Sequence, residues 1–121
     1  MQLCVFNVDD GIEIVDIEGT LEEYYNIIDC RCIDIVERKV GDTYFDVICD
    51  QEGLLKDNPR VSAVDTEGNP MLVGNLIFSH TDEDGETIGV TDKDVATIMD
   101  EVCLAVAPDD RLLGMVIMMD Y

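Results

Sequence analysis

The residues with chemically reactive side chains are few, and their spacing suits neither catalysis nor metal binding. The chain has one histidine, His80, and five cysteines. A nucleophilic cysteine needs a base held beside it, and nothing in the sequence brings His80 next to a thiol. Cys30 and Cys32 are separated by one residue, whereas zinc-binding cysteine pairs are usually separated by about two to four, and no second pair follows. We therefore expect structural cysteines, no bound metal and no other cofactor.

His80 also begins an acidic stretch, residues 80–86, whose oxygen atoms are potential ligands for a divalent cation. The stretch does not fit the calcium-loop template. With Gly85 at the sixth position, the first and twelfth positions are His80 and Thr91, and neither carries a carboxylate. The sequence leaves two interpretations open, a solvated acidic hairpin loop and a loose cation site.

Known catalytic motifs are absent, and the chain has one short segment that is relatively rich in cations. No glycine-rich phosphate loop, H-E-x-x-H or G-x-S-x-G motif occurs, so we expect a protein that is not an enzyme. Lys56 and Arg60 are two of only seven cations. They predict a small loop that binds phosphate or carboxylate, with Arg60 making a two-pronged contact. The alternative is that both side chains pair with neighbouring carboxylates.

The net charge of −21 is the strongest compositional feature, with 28 acidic and seven basic residues. The carboxylates are scattered from Asp9 to Asp120 instead of forming a tail, and 47% of residues are hydrophobic, as in folded proteins. A chain of 121 residues predicts a single domain over residues 1–121. Direct binding of nucleic acid is excluded, because a polyanion needs lysine and arginine to release its counterions.

The sequence also predicts where the protein resides. The first residues lack the basic and apolar regions of a signal peptide. No apolar run approaches the roughly 18 residues of a membrane span. Five cysteines without paired spacing fit reduced thiols. We therefore expect a cytoplasmic protein that does not contact a membrane.

Turn signals and apolar periodicity predict the secondary structure. Two hairpins are expected, at residues 3–16 and 32–49, and later strands at residues 74–79, 87–90 and 111–119. Thr20 and Thr91 are expected to open two helices, the first through a capping box with Glu23. The apolar face of the second helix is predicted to contain Val95, Ile98, Met99 and Val102, while residues 53–70 are predicted to be irregular.

This order of elements predicts the α+β class: a mostly antiparallel sheet of about five to seven strands with two helices packed on it. Both faces of the second hairpin carry apolar residues, for example Val47 on one face and Ile48 on the other. The sheet should therefore be covered on both sides, by helices or by another subunit.

Several short motifs, in this order and spacing, resemble the domain of unknown function 3846 family. They are Gly19-Thr20-Leu21-Glu22, the run from Cys49 to Lys56 followed by Asn58-Pro59-Arg60, Gly74-Asn75-Leu76-Ile77-Phe78, and Val90-Thr91-Asp92-Lys93-Asp94-Val95. The resemblance implies small proteins found largely in phages and other mobile elements, and it supplies no activity or catalytic residues. Residues 104–121 are interpreted as a C-terminal extension relative to the family.

Two functional hypotheses follow. The first is a non-enzymatic interaction protein whose acidic surface binds a basic DNA-binding protein, in its sharpest form as a mimic of DNA. The phosphate-like groups would then include exposed acids in a loop and at a helix end: Asp82, Glu83, Asp84, Asp100 and Glu101. The alternative is a small structural or accessory module, for example a homodimer, whose acidity serves solubility only.

Overall fold

The computed structural model of the chain describes residues 1–56 and 58–121. Within these ranges it has two α-helices, α1 (Leu21–Ile28) and α2 (Asp92–Asp100), a short 3-10 turn (Gly53–Leu55), and ten β-strands in two sheets. The strands are β1 (Gln2–Asn7), β2 (Gly11–Asp16), β3 (Ile33–Val40), β4 (Thr43–Asp50), β5 (Val61–Val64), β6 (Pro70–Val73), β7 (Leu76–Thr81), β8 (Thr87–Ile88), β9 (Val102–Val106) and β10 (Leu112–Met118).

The larger sheet, sheet A, has the strand order β2-β1-β7-β4-β3, and the two-residue strand β8 pairs with β7. All of its neighbouring strands are antiparallel. The two predicted hairpins are confirmed as β1–β2 and β3–β4. Gly11, the first residue of β2, and Gly41, in the β3–β4 turn, both have positive φ, a conformation that glycine adopts without a steric penalty.

Sheet A is covered on both faces, as predicted. On one face α1 contributes Tyr24 and Ile28 to a cluster with Leu3, Ile48 and Ile77. On the other face a larger cluster joins sheet A to α2 and to the smaller sheet; its buried members include Phe6, Phe45, Val47, Phe78, Val95, Ile98 and Ile117. Sheet A therefore forms the middle layer of the fold.

Both helices begin where the sequence predicts. Thr20 and Thr91 cap them, each in a reciprocal capping box with the third helical residue. The predicted apolar stripe of α2 is only partly right. Val95 and Ile98 are buried, but Met99 is 56% exposed. Val102 lies outside α2, because the helix ends at Asp100 and the next residues enter a strand.

The predicted strand count is too low, because the smaller sheet, sheet B, was not expected. Its order is β6-β5-β10-β9, with β5 parallel to β10. The expected final strand is present as β10, but β5 lies within the stretch expected to be irregular, and β6 begins at the last residue of that stretch. Short apolar runs between turn signals give no periodicity, and β6 begins at Pro70, so local patterns do not distinguish these strands from loops.

Candidate functional site

Two groups of charged residues lie at opposite ends of sheet A. One end is formed by the β3–β4 turn, the β7–β8 turn and α2, and we call it the acidic end. The opposite end contains the β1–β2 turn, the end of β4 and residues 53–56 and 58–60, and we call it the paired end. The first end contains the predicted partner-binding residues, and the second contains Lys56 and Arg60.

Strand register brings the two turns of the acidic end together. Strands β4 and β7 pair through Asp46 and Ser79, so β7 continues from Ser79 alongside the beginning of β4. A hydrogen bond from the Thr81 hydroxyl to the Asp46 carboxylate holds this alignment. The β7–β8 turn, which contains Asp82, Glu83 and Asp84, therefore lies beside the β3–β4 turn.

Helix α2 crosses the same end of the sheet. It begins beside β1, where the Gln2 amide donates to the Asp92 carboxylate at 3.1 Å, and ends beside the β3–β4 turn, where Thr97 and Glu101 approach Gly41. Nine helical residues span about 14 Å. The distance from β1 to β3 across three strand spacings is also about 14 Å. The helix thus extends across four strands and brings Asp100 and Glu101 towards the turn acids.

The acidic end therefore contains all five predicted partner-binding residues. Its nine carboxylates belong to Asp42, Asp82, Glu83, Asp84, Glu86, Asp92, Asp94, Asp100 and Glu101. Two lysines, Lys39 and Lys93, lie in the same region, and neither forms an ion pair with a described carboxylate. Asp82 has a structural role, since its carboxylate accepts from the backbone amides of Asp84 and Glu86 at 2.9 Å.

His80 contacts α2. Its Nε2 atom lies 3.0 Å from Oδ2 of Asp94, and its ring stacks on Phe45 with 5.0 Å between centroids. Partial burial acts to raise the pKa of Asp94, but hydrogen bonds from Thr91 and His80 outweigh it and lower the pKa below its usual value. No group of three or more histidine, cysteine, aspartate or glutamate side chains in the described chain is arranged to hold a metal ion.

At the paired end, both predicted anion-binding residues are held by carboxylates. The Lys56 ammonium lies 2.8 Å from the Asp50 carboxylate, whose side chain is only 4% exposed, and also donates to the backbone carbonyl of Asp29. Arg60 contacts the Asp9 carboxylate at 2.5 Å and donates to the Val8 carbonyl at 2.8 Å. The sequence left two alternatives open for these residues, binding of an anion and pairing with neighbouring carboxylates. The observed contacts correspond to the second.

The paired end is also concave. A cleft of about 200 Å³ lies between the β1–β2 turn, the end of α1 and the segment that contains Lys56 and Arg60. Asn75 lines this cleft. Its side chain accepts a hydrogen bond from the Val8 amide and donates one to the Ile27 carbonyl. Sequence reasoning missed this role of Asn75 and the burial of Asp50, because their partners are distant in the chain.

Two of the five cysteines are deeply buried. Burial raises the pKa of the Cys4 thiol to about 12 and that of the Cys49 thiol to about 11. Thiolates of this kind are scarce at neutral pH, so these two cysteines act as small apolar core residues. Both belong to the large cluster between the two sheets.

The fold and the charge distribution define an acidic α+β protein in which the described ion pairs of Lys56 and Arg60 lie at one end of sheet A and the acidic end lies at the other. It belongs to the family described as Domain of unknown function (DUF3846), whose family model matches residues 1–103. No curated protein matches the chain, and no solved structure does. In the described part of the chain, neither helix has the length and apolar character needed to cross a membrane.

Proposed function

We propose that the protein is a non-enzymatic interaction protein whose acidic end binds a basic surface of a cytoplasmic DNA-binding protein, as a mimic of DNA. The observation that carries the proposal is the gathering of nine carboxylates at one end of sheet A. Elsewhere, carboxylates lie within salt-bridge distance of an amino or guanidinium group at four described residues: Asp9, Asp16, Asp50 and Glu52.

The charge density of the acidic end is of the order found in DNA. B-DNA carries one negative charge per about 1.7 Å of axis, so about 14 Å of duplex carries about eight. Without Asp94, which is largely buried against His80, eight carboxylates, partly offset by Lys39 and Lys93, are close to that number over the same width. A cleft that normally holds DNA, in a restriction enzyme, nuclease or repressor, would attract such a surface electrostatically.

Affinity capture from a bacterial lysate tests the proposal with two matched variants. The first neutralises five exposed or half-buried acids of the acidic end and keeps Asp82, which holds its turn: E83Q, D84N, E86Q, D100N and E101Q. The control neutralises five exposed acids outside the acidic end: D10N, E13Q, E67Q, D109N and D110N. Both variants change the net charge by the same amount. A difference in capture between them therefore depends on where the neutralised acids lie.

The expected result has three parts. A DNA-binding protein is captured by the natural chain at about 50 mM NaCl and released at about 500 mM, because charge-driven binding weakens with salt. Capture is lost with the acidic-end variant and kept with the control. The natural chain also displaces a fluorescent DNA duplex from the captured protein. If both variants capture equally, or no DNA is displaced, mimicry is wrong and the accessory-module hypothesis, with acidity serving solubility only, is favoured.

A further inference from the structure

A groove lies between the open edges of the two sheets. Its walls are the edge strand β3 of sheet A and the edge strand β6 of sheet B, and the end of β4 and the 3-10 turn complete its lining. It has a volume of about 560 Å³, compared with about 200 Å³ for the cleft at the paired end. Small-molecule sites in proteins usually have volumes of about 300–1,000 Å³. The groove is therefore large enough to hold a small ligand.

Most of the surface of this groove is apolar. Val36 of β3 and Leu72 of β6 are half-buried, pack against the large core cluster and line the groove. Leu54 and Leu55 line it as well, and they are 78% and 82% exposed. Covering apolar surface of this kind with an apolar ligand is favourable. The lining thus favours a ligand that carries an apolar chain.

Arg38 is the only lysine or arginine in the described lining of the groove. It forms no ion pair with a described carboxylate, although the chain has 28 acidic residues. Its Nη1 atom donates to the Glu37 carbonyl at 2.8 Å, and its Cζ atom lies 4.7 Å from the centre of the Tyr121 ring. Its Nε atom is buried and has no hydrogen-bond partner in the described part of the chain. A guanidinium with an unpartnered buried donor and no counter-ion favours an anionic ligand.

Two carboxylates also line the groove, but both are engaged elsewhere. The Asp50 carboxylate is held by Lys56 at 2.8 Å. Asp34 accepts from the Ile35 amide at 2.9 Å. Asp34 and Arg38 are four residues apart on one face of β3, which corresponds to about 13 Å along a strand. An anionic head group is therefore favoured at the Arg38 end of the groove and not at the Asp34 end.

We propose that this groove binds a small aliphatic carboxylate, with the carboxylate on Arg38 and the chain between β3 and β6, towards Leu54 and Leu55. Guanidinium and carboxylate groups form charge-assisted, often paired hydrogen bonds. The bond to Glu37 uses Nη1 and leaves other guanidinium N–H groups for such a contact. The groove shares no residue with the acidic end and its ligand is not a protein, so its test is independent of the proposed function.

Titration of the full, isotope-labelled chain with hexanoate, octanoate and decanoate, followed by NMR, tests the proposal. NaCl at about 150 mM screens the repulsion between the anionic ligand and the net charge of −21. A ligand of the size of octanoate should bind with a Kd of about 0.1–5 mM. Each added CH₂ group should tighten binding by about two- to fourfold. The amide shifts should be largest in residues 34–38 and 71–73, whereas those of residues 80–86 should stay unchanged.

The head group and the chain are tested separately. Octanol and octylamine should bind at least about fivefold more weakly than octanoate, because neither supplies a carboxylate to Arg38. Arg38→Gln should weaken octanoate binding by about five- to tenfold. The matched control is Lys39→Gln, which removes one positive charge from the next residue of β3, on the opposite face of the sheet, and should leave binding nearly unchanged.

Leu54→Gln should reduce the gain in affinity from octanoate to decanoate, since it removes apolar surface that the longer chain covers. Thermal unfolding of all three variants checks that they are folded. The proposal is overturned if octanoate causes no shifts in the groove at about 20 mM, well above the expected Kd. It is also overturned if octylamine binds as tightly as octanoate, or if Arg38→Gln and Lys39→Gln weaken binding equally.

Discussion

The acidic end and the paired end of sheet A use carboxylates in opposite ways. At the paired end Lys56 and Arg60 each form an ion pair with a carboxylate, and the Asp50 side chain that pairs with Lys56 is nearly buried. At the acidic end Lys39 and Lys93 form no ion pair with a described carboxylate. The difference shows that the net charge is an incomplete description: the carboxylates at the paired end are neutralised by cations, whereas no described ion pair with lysine or arginine relieves the repulsion among those at the acidic end.

Breaking the pair at Lys56 should have the largest effect. Lys56→Met leaves the Asp50 carboxylate, 4% exposed, without its cation, and should lower the free energy of unfolding by about 2 kcal/mol. Urea denaturation measures the change. The double variant D50N/K56M is the control, because it removes the uncompensated charge and should recover part of the loss. Equal stability of K56M and the natural chain would contradict this account of the paired end.

The pH dependence of the same pair has a defined sign. The hydrogen bond from Lys56 to Asp50 raises the pKa of the lysine above its usual value. The stabilisation is therefore fully present below the unfolded pKa, about 10.4, and is lost as the pH rises through the folded pKa. The difference in stability between the natural chain and K56M should shrink at strongly alkaline pH.

Asp94 should be an exception within the acidic end. Its carboxylate contacts His80 and accepts from the Thr91 amide, so Asp94→Asn should destabilise the protein by about 1 kcal/mol. Because its folded pKa is lowered, this contribution is present above about pH 3.9 and is lost as the pH falls through the folded pKa. Asp100→Asn, at the exposed end of α2, is the control and should not destabilise. If both variants behaved alike, the contact with His80 would have no energetic role.

Neutralising the acidic end should change stability no more than Asp94→Asn does, and with the opposite sign. The five-residue acidic-end variant described above should be more stable than the natural chain by about 1 kcal/mol at low salt, since like charges a few ångströms apart repel by some tenths of a kcal/mol each. Thermal melts at about 20 and 500 mM NaCl measure the gain, which should fall as the Debye length shortens. A gain no larger than that of the five-residue control would show that the acids of the acidic end repel no more than those elsewhere.

Features that depend on neighbouring residues could be predicted from the sequence. The starts of both helices, the capping box of α1 and both hairpins follow from local signals such as Thr20 with Glu23 and the glycines Gly11 and Gly41. The membership of the family could also be anticipated from short motifs. Strand β9 was missed, because five apolar residues after a helix have no period that separates strand from helix.

The charged sites could be predicted only in part, because their geometry depends on distant residues. The loop and helix acids were identified, but their meeting at one end of sheet A depends on the pairing of β4 with β7. The segment around Lys56 was also identified, yet its partner Asp50 could not be chosen among 28 acids. The contact between His80 and Asp94, fourteen residues later, could not be predicted either, because it too depends on how distant parts of the chain pack.

The parallel pairing of β5 with β10 has a consequence for how the chain folds. Strand β5 ends at Val64, and its central neighbour begins only at Leu112. During synthesis at about 5–20 residues per second, β5 must wait several seconds for that neighbour to emerge. Ile117 of β10 is also a buried member of the large core cluster, so that cluster is incomplete until β10 has been synthesised. Folding of the core should thus be a late event that waits for the synthesis of β10, and a nascent chain would depend on its own repulsive charge to avoid aggregation in the interval.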